Sequence, residues 1–308
     1  MWPDPLGDSD QNAERAPPSG SDKWVLWIFA GLFFGLLGLE VITDLTPARM
    51  AAVFFFLFWM PLTVLHEAGH ALMARFVGWK VDGVQLGFGS TWRVFYVGGI
   101  QLELKSLPFV GLVKIRPTSL KFARTKNACV YAAGPGIECL AVLIVIGLVG
   151  WETVIGPTTT YTISAIQAFC LAAIAGVMMN LLPFSASPST VTDGMGILMS
   201  PFLTSTHFQT AMLAPEVESI ERLMAAEDFD MALRRLESLT THFPNITMLH
   251  TRLAQCLVYM GKNQEGLLGL QAHVRTLKEG PAKREGEQAL EEFRAFLKRH
   301  NRGYWHGS

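Results

Sequence analysis

The sequence has little charge for its length. Only 17% of its 308 residues are charged, whereas 50% are hydrophobic, and the mean hydropathy is +0.30. This composition is too apolar for an ordinary soluble protein and predicts a membrane protein. The net charge of −1 and the pI of about 6.7 also argue against an overall basic surface of the kind that nucleic acid binding demands, so no nucleic acid partner is expected.

The four cysteines include no CxxC pair. Cys129, Cys139 and Cys170 lie in apolar stretches, where we expect small buried hydrophobic residues. The pattern argues against both a disulfide framework and a cysteine-based zinc site.

Residues 1–22 lack apolar residues in the number that folding requires, and they are rich in proline and acid. We expect a disordered tail, because such a segment buries too little surface to offset chain entropy. The tail lacks the basic start of a secretory signal, and no small-residue cleavage site follows the next apolar stretch. The first span should therefore stay attached.

Four long apolar stretches follow, each near the length that crosses a hydrocarbon core. Between the second and third, Val81 to Ile115 alternates apolar and polar residues with glycines at the breaks, which predicts short strands and a small sheet. The predicted fold class is an α-helical membrane protein of about four transmembrane helices with a small β-sheet region after the second, in a membrane domain over 23–205. The spans are predicted at about 24–43, 48–76, 128–150 and 163–182.

Loop charge predicts the orientation of these spans. Residues 77–126 contain eight Lys or Arg, the loop after the first span contains only Arg49, and residues 151–161 contain none. Since basic loops stay on the cytosolic side, we expect a multi-pass protein with both termini cytosolic. A bacterial inner (cell) membrane is the expected location.

The chain becomes soluble in character from Pro215, and apolar residues recur at helical spacing over about 215–300. If Pro244 closes one helical hairpin, small and apolar residues take matching places in the next, with Gly266 where alanine is usual. This region resembles a tetratricopeptide array and predicts a C-terminal all-α cytosolic domain that could bind a cytosolic protein partner. Generic helices are the alternative.

The second span contains His66-Glu67-Ala68-Gly69-His70, an HExxH motif. On a helix, imidazoles four residues apart project from one face toward a single ion. Zn²⁺ takes nitrogen and carboxylate ligands, and Glu67 is placed to accept a proton from a metal-bound water. Ionisable residues are costly inside a span, so three of them clustered there favour a functional metal site over coincidence. The histidines would lie ~10 to 15 Å from the cytosolic end of the helix.

The third ligand should come from another span at similar depth. Asp193, just beyond the fourth span, is the favoured candidate, and Glu138 in the third span is its competitor. Glu138 could instead contact a substrate, a lipid headgroup or a neighbouring backbone. An Asp-Gly pair such as Asp193-Gly194 also often forms a simple turn or helix cap.

Together these residues resemble the site-2 protease family of intramembrane zinc metalloproteases, over about residues 48–200. Besides HExxH, that family has an N-x-x-P stretch leading to Asp-Gly, a glycine-rich segment, a Leu-Pro-x-x-Gly-x-Val-Lys stretch and an Ala-Gly-Pro. Five ordered motifs are far more specific than HExxH alone. Here the other motifs read Asn180-Leu-Leu-Pro183 with Asp193-Gly194, VQLGFGS, LPFVGLVK over 107–114, and Ala133-Gly134-Pro135.

The resemblance implies that His66, His70 and Asp193 are zinc ligands and that Glu67 is the general base. It also implies that Asn180 contacts the substrate or an oxyanion, although helix capping at Pro183 is an equal alternative. The strand region would pair with an unwound substrate helix, with Leu104 to Val113 as the pairing edge. Two departures are the long link SASPSTVT before Asp193 and Glu138 in place of an asparagine, and no inserted PDZ domain is visible.

The main functional hypothesis is regulated intramembrane proteolysis, in which a membrane-anchored protein substrate is cut at the lipid bilayer. The alternative is a catalytically inactive homologue that acts as a membrane scaffold through its helical repeats. A transporter with a buried proton path would need repeated halves, and the sequence shows no internal repeat.

Overall fold

The computed structural model describes residues 45–187 and 190–303, together with Gly35 and Gly38. The predicted tail over 1–22 lies outside these residues, and so does the predicted first span except for the two glycines. The chain divides into two compact units between Ser205 and Thr206, and each unit has its own core.

Three helices of the first unit are long and apolar enough to cross a membrane: α1 (Pro47–Phe76), α2 (Ala123–Val149) and α4 (Tyr161–Leu181). They confirm three of the four predicted spans in the described part of the chain. Helix α2 begins five residues before the predicted span, because its first turn carries polar residues that an apolar pattern leaves out. The shorter elements of this unit are α3 (Trp151–Ile155), β3 (Ser185–Ser187), β4 (Thr190–Val191), α5 (Asp193–Met199) and a 3₁₀ turn (Ser200–Phe202).

Small side chains bring the three long helices together. The buried residues of α4 are all small, which lets neighbouring backbones approach closely where the hydrophobic effect gives no driving force between helices. Leu62 of α1, Val142 of α2 and Cys170 of α4 form the centre of the resulting core. The buried residues of α4 are Ser164, Ala168, Cys170, Ala172, Ala173 and Gly176.

The outer faces of these helices expose large apolar side chains such as Leu57, Leu140 and Leu171, as a lipid-facing surface requires. Two of the predicted buried cysteines lie on such faces. Cys129 and Cys139 are exposed, so that prediction is wrong for both, whereas Cys170 is buried as expected. An apolar stretch in a span shows that a residue avoids water, and it does not distinguish a protein neighbour from lipid.

The predicted small sheet is confirmed as two long antiparallel strands, β1 (Lys80–Val97) and β2 (Ile100–Arg116). They are joined at Gly98-Gly99, where both residues have positive φ, as a tight hairpin turn requires. The pairing is interrupted by bulges, so the first half of β1 lies between the two halves of β2: Leu86 faces Gly111 on one side and Leu104 on the other.

This register corrects the predicted pairing edge. Leu104 is opposite Leu86 and also opposite Arg93, so it lies inside the sheet and cannot accept a further strand. Residues 111–116 pair with the first half of β1, and the described strands give them no partner on their other side. Only this end of the predicted edge is therefore available.

The second unit is helical, as predicted. Its first helix runs through Pro215 and begins ten residues before the predicted boundary, because Phe208 and Leu213 continue the buried face that Val217 and Ile220 form. The helices are α6 (Ser205–Ala225), α7 (Phe229–His242), α8 (Thr247–Tyr259), α9 (Asn263–Thr276) and α10 (Pro281–Gly303).

Apolar clusters of described residues hold this unit together. One is centred on Ile220 and Leu236, and another on Leu270 and Phe293. Gly266 of α9 lies against α8, where an added Cβ would be 2.7 Å from the carbonyl oxygen of Ala254. Glycine in place of the usual alanine therefore allows α9 to approach α8 more closely than an alanine would. The assignment of this unit as a tetratricopeptide array stays a prediction.

Candidate metal centre

Helix α1 places His66 and His70 one turn apart with both rings buried in the protein. Their ring centroids are 4.8 Å apart. The predicted projection from one helix face is therefore present in the structure.

Each imidazole is oriented by an acceptor at its Nδ1 atom. For His66 the acceptor is a carboxylate oxygen of Glu138, at 3.0 Å, and for His70 it is the carbonyl oxygen of Val130, at 2.7 Å. Because a carbonyl and a carboxylate accept hydrogen bonds, these partners assign the proton of each neutral ring to Nδ1. Both Nε2 atoms then carry a lone pair.

The two Nε2 atoms converge with the carboxylate of Asp193. His66 Nε2 is 2.9 Å from Asp193 Oδ2 and 3.1 Å from His70 Nε2, and His70 Nε2 is 3.3 Å from Asp193 Oδ1. With the protons on Nδ1, three electron-rich groups face one another inside the protein, which is unfavourable unless a metal ion or an added proton lies between them.

The donor set and its spacing fit a metal ion. Donors bound to Zn²⁺ at about 2.0 to 2.1 Å in a tetrahedron lie about 3.3 Å from one another, close to the separations between these atoms. Among the described residues, His66, His70 and Asp193 are the group of potential ligands that meets at one point. An ion held in a tetrahedron by three protein ligands would have its fourth position open for a water, as in catalytic rather than structural zinc sites.

The start of α5 places Asp193. Thr192 caps this helix, since its hydroxyl accepts the backbone N–H of Met195 at 3.4 Å. A Cβ at Gly194 would overlap the backbone of Leu181 at the end of α4. The Asp-Gly pair is therefore a helix start, as the simple alternative proposed, and its glycine also lets the carboxylate approach the histidines.

One face of α2 borders the site and lies against both imidazoles. Val130, Gly134 and Glu138 are spaced four residues apart, so they lie on one face of the helix. A Cβ at Gly134 would be 2.6 Å from His66 Nε2 and would also overlap the His70 ring. The glycine of the Ala-Gly-Pro motif thus permits the close approach of α2 to the imidazoles, a role that the motif alone does not reveal.

Glu67 lies beside the histidines and is buried, with 6% of its surface exposed. Strand β2 passes over it, because a Cβ at Gly111 would overlap the Glu67 side chain. The sheet therefore contacts the predicted general base at the segment that has no second strand partner among the described strands. Apart from the Leu-Pro-x-x-Gly motif itself, no sequence pattern predicted this contact.

A groove lies one to two turns before Glu67, between α1 and the sheet. Its volume is about 390 Å³, and its walls are mainly apolar. Met60, Thr63 and Val64 contribute from α1, and Leu86, Trp92 and Leu104 are among the residues that contribute from the sheet.

Asn180 lies in the last turn of α4 and is half-buried. No hydrogen bond joins it to His66, Glu67, His70 or Asp193, all of which lie in the described part of the chain. The structure therefore brings together four of the five predicted site residues, and the role of Asn180 stays a prediction.

Apolar helices of spanning length that hold a buried HExxH centre define the class of membrane proteins with a metallopeptidase-type site. The sequence model of Peptidase family M50 matches residues 54–214, which is about half of the chain. The chain belongs to this family. The resemblance to site-2 proteases inferred from the sequence is thereby confirmed.

Three curated relatives from bacteria are each named "Putative zinc metalloprotease". A Chlamydia pneumoniae protein is 36% identical over 70 residues, which is 22% of this chain and 11% of that protein. A Chlamydia trachomatis protein is 34% identical and a Helicobacter pylori protein 38% identical, each over 55 residues, or 18% of this chain and 9% and 16% of those proteins. The matches thus span less than a fifth of the length of each relative.

Proposed function

We propose that the chain is a zinc endopeptidase that hydrolyses peptide bonds of membrane-anchored proteins in or near the bilayer. The observation that supports it most is the convergence of His66 Nε2, His70 Nε2 and Asp193 between apolar helices, beside a buried glutamate. Membership of Peptidase family M50 and the names of the relatives agree with this proposal.

In this proposal His66, His70 and Asp193 hold Zn²⁺. When bound, the ion would supply positive charge to polarise the substrate carbonyl and to make a water at the site more acidic. Glu67 would accept a proton from the attacking water as the water oxygen bonds to the carbonyl carbon, and would then donate that proton to the amine nitrogen as the C–N bond breaks. Asn180 is the proposed polar contact to substrate or oxyanion.

The sheet is the proposed docking edge for the substrate. A peptide bond in a helix must leave its hydrogen bonds before water can attack, and an added strand satisfies the freed backbone groups. Residues 111–116 offer a strand side without a partner in the described sheet, and Gly111 of this segment contacts Glu67. The apolar groove beside Thr63 and Leu104 would receive a substrate side chain.

The surroundings of the site extend the proposal to topology. The basic segment over 77–126 supports a cytosolic position for the sheet and for both chain termini, in a bacterial inner membrane. The helical unit over 206–303 is the proposed tetratricopeptide-like binding site for a cytosolic partner, and the membrane scaffold is the alternative function.

The test replaces Glu67 by Gln and compares the membrane proteomes of cells that carry the wild type or the variant. A protease predicts that an uncut membrane protein accumulates in E67Q cells while the purified variant retains its zinc. Glu152 is an exposed acidic residue of α3, so Glu152→Gln serves as the matched control. Identical proteomes for wild type and E67Q would instead favour the scaffold.

A further inference from the structure

Glu138 is a buried carboxylate that the proposed hydrolysis does not use. It lies in the middle of α2, and only 3% of its surface is exposed. Its Oε2 atom is 3.0 Å from Nδ1 of His66, whereas Nε2 of the same ring faces Asp193 at 2.9 Å. Glu138 therefore lies on the far side of the imidazole from the point where the three proposed ligands meet.

The two histidines differ in the charge of their outer partners. The N–H of His70 is donated to a neutral carbonyl, that of Val130, and the N–H of His66 is donated to a carboxylate. A carboxylate acceptor makes the opposite ring nitrogen a stronger electron donor and fixes the ring orientation. His66 is thus the imidazole whose strength as a ligand depends on a second side chain.

The surroundings of Glu138 indicate that the role of its carboxylate is to accept the hydrogen bond from His66. A carboxylate inside a span is costly unless it is paired, and the described hydrogen bonds give its side chain His66 as partner. Helix α4 packs over it without a side chain, because a Cβ at Gly176 would be 3.2 Å from Oε1. Together with Asp193, Glu138 also supplies the second negative charge that balances a divalent cation away from water.

We infer that Glu138 is a positioning residue that orients and strengthens His66 as a metal ligand, and that it is not itself a ligand. This inference rests on the proposed metal centre. It replaces the earlier competition between Glu138 and Asp193 with two different roles at the same histidine.

The test measures Zn²⁺ affinity by chelator competition in the purified full chain. Glu138→Gln keeps the size and an acceptor oxygen but removes the charge, and Glu138→Leu removes both. We expect the dissociation constant to rise in both variants, by about 10- to 100-fold for E138L and by less for E138Q. Cys139→Ala, the exposed neighbour on the same helix, should leave the affinity unchanged.

Two further readouts separate positioning from other roles. With Co²⁺ in place of Zn²⁺, the ligand-field spectrum of E138Q should indicate the same coordination number as that of the wild type. A spectrum that indicates one ligand fewer would show that Glu138 binds the metal and would overturn the inference. A purely structural role would lower the melting temperature of the metal-free protein and leave the Zn²⁺ affinity of E138L at the wild-type value, which also overturns it. If the wild type binds no Zn²⁺, the metal centre itself is wrong rather than the role of Glu138.

Discussion

The backbone of α2 touches the two imidazoles because residue 134 is a glycine. An added Cβ would be 2.6 Å from His66 Nε2 and would overlap His70, so no other residue fits without moving the proposed ligands. Gly136, two positions later, has nothing within 4 Å of its added Cβ. The same helix therefore offers a critical glycine and a neutral one.

This difference gives a prediction for the variant Gly134→Ala. The methyl group should displace both ring nitrogens and raise the Zn²⁺ dissociation constant by at least about tenfold, the scale at which outer-shell changes act on metal sites. Chelator competition on the purified protein measures the effect, with Gly136→Ala as the control for loss of a helix glycine. Equal affinities of the two variants would contradict the proposed packing.

Single residues of the site were predictable to different degrees. The HExxH spacing places two imidazoles on one helix face, so His66, Glu67 and His70 could be recognised without a structure. Asp193 followed from the few acids at a similar depth. The role of Glu138 could not be predicted, because a sequence shows that an acid lies in a span but not which of the two nitrogens of a histidine it faces.

Among the elements, the pairing of α1 with the sheet shapes the entrance to the site. The groove of about 390 Å³ between them is lined by Val64 of α1, two residues before His66, and by Trp92 and Leu104 of the sheet. Its apolar walls suit an apolar side chain of the substrate, which would lie beside the peptide bond to be cut.

Filling this groove should reduce cleavage without loss of the metal. We expect Val64→Trp to lower kcat/KM by about tenfold or more, the discrimination that a hydrophobic pocket provides, while the zinc content stays at the wild-type level. Leu72→Trp, on the exposed side of the same helix, is the control. An unchanged kcat/KM in the Val64 variant would show that substrate does not enter here.

The strands show where prediction from the sequence stops. The alternation of apolar and polar residues predicted a sheet over 81–115. The tight turn lies at Gly98-Gly99, one of the glycine breaks in that pattern. The placement of the first half of β1 between two parts of β2 could not be predicted, because alternation defines the faces of a strand and not its partners. The error about Leu104 as an edge residue has this origin.

On the scale of the whole molecule, the helical unit over 206–303 contains a buried histidine whose protonation should affect the stability of the unit. The buried ring of His273 stacks on His250 at 3.8 Å and lies 3.2 Å from the hydroxyl of Thr247. Burial, assisted by the neighbouring His250, lowers the pKa of His273 to about 4. The folded unit therefore keeps this ring neutral at a pH where the unfolded chain would bind a proton.

The sign of the pH dependence follows from that difference. The unfolded state binds more protons between the ordinary histidine pKa of 6.5 and the folded value of about 4, so stability should fall as the pH is lowered through this window. The expected slope is at most about 1.4 kcal/mol per pH unit for one proton. Thermal unfolding of a 206–303 fragment by circular dichroism measures it.

His273→Gln should flatten this dependence, because the titrating group is gone. His242→Gln removes an exposed histidine of the same unit and should leave the slope unchanged. An equal loss of stability at low pH in the wild type and the His273 variant would mean that other groups carry the effect.

The proposed function depends on one ion held by His66, His70 and Asp193 between apolar helices. The most direct measurement is the zinc content of the purified full chain and of its Asp193→Ala variant by elemental analysis. One zinc per wild-type chain and its loss in the variant are the predicted results. A wild type without zinc, or an Asp193 variant that retains one equivalent at unchanged affinity, would contradict the proposed centre.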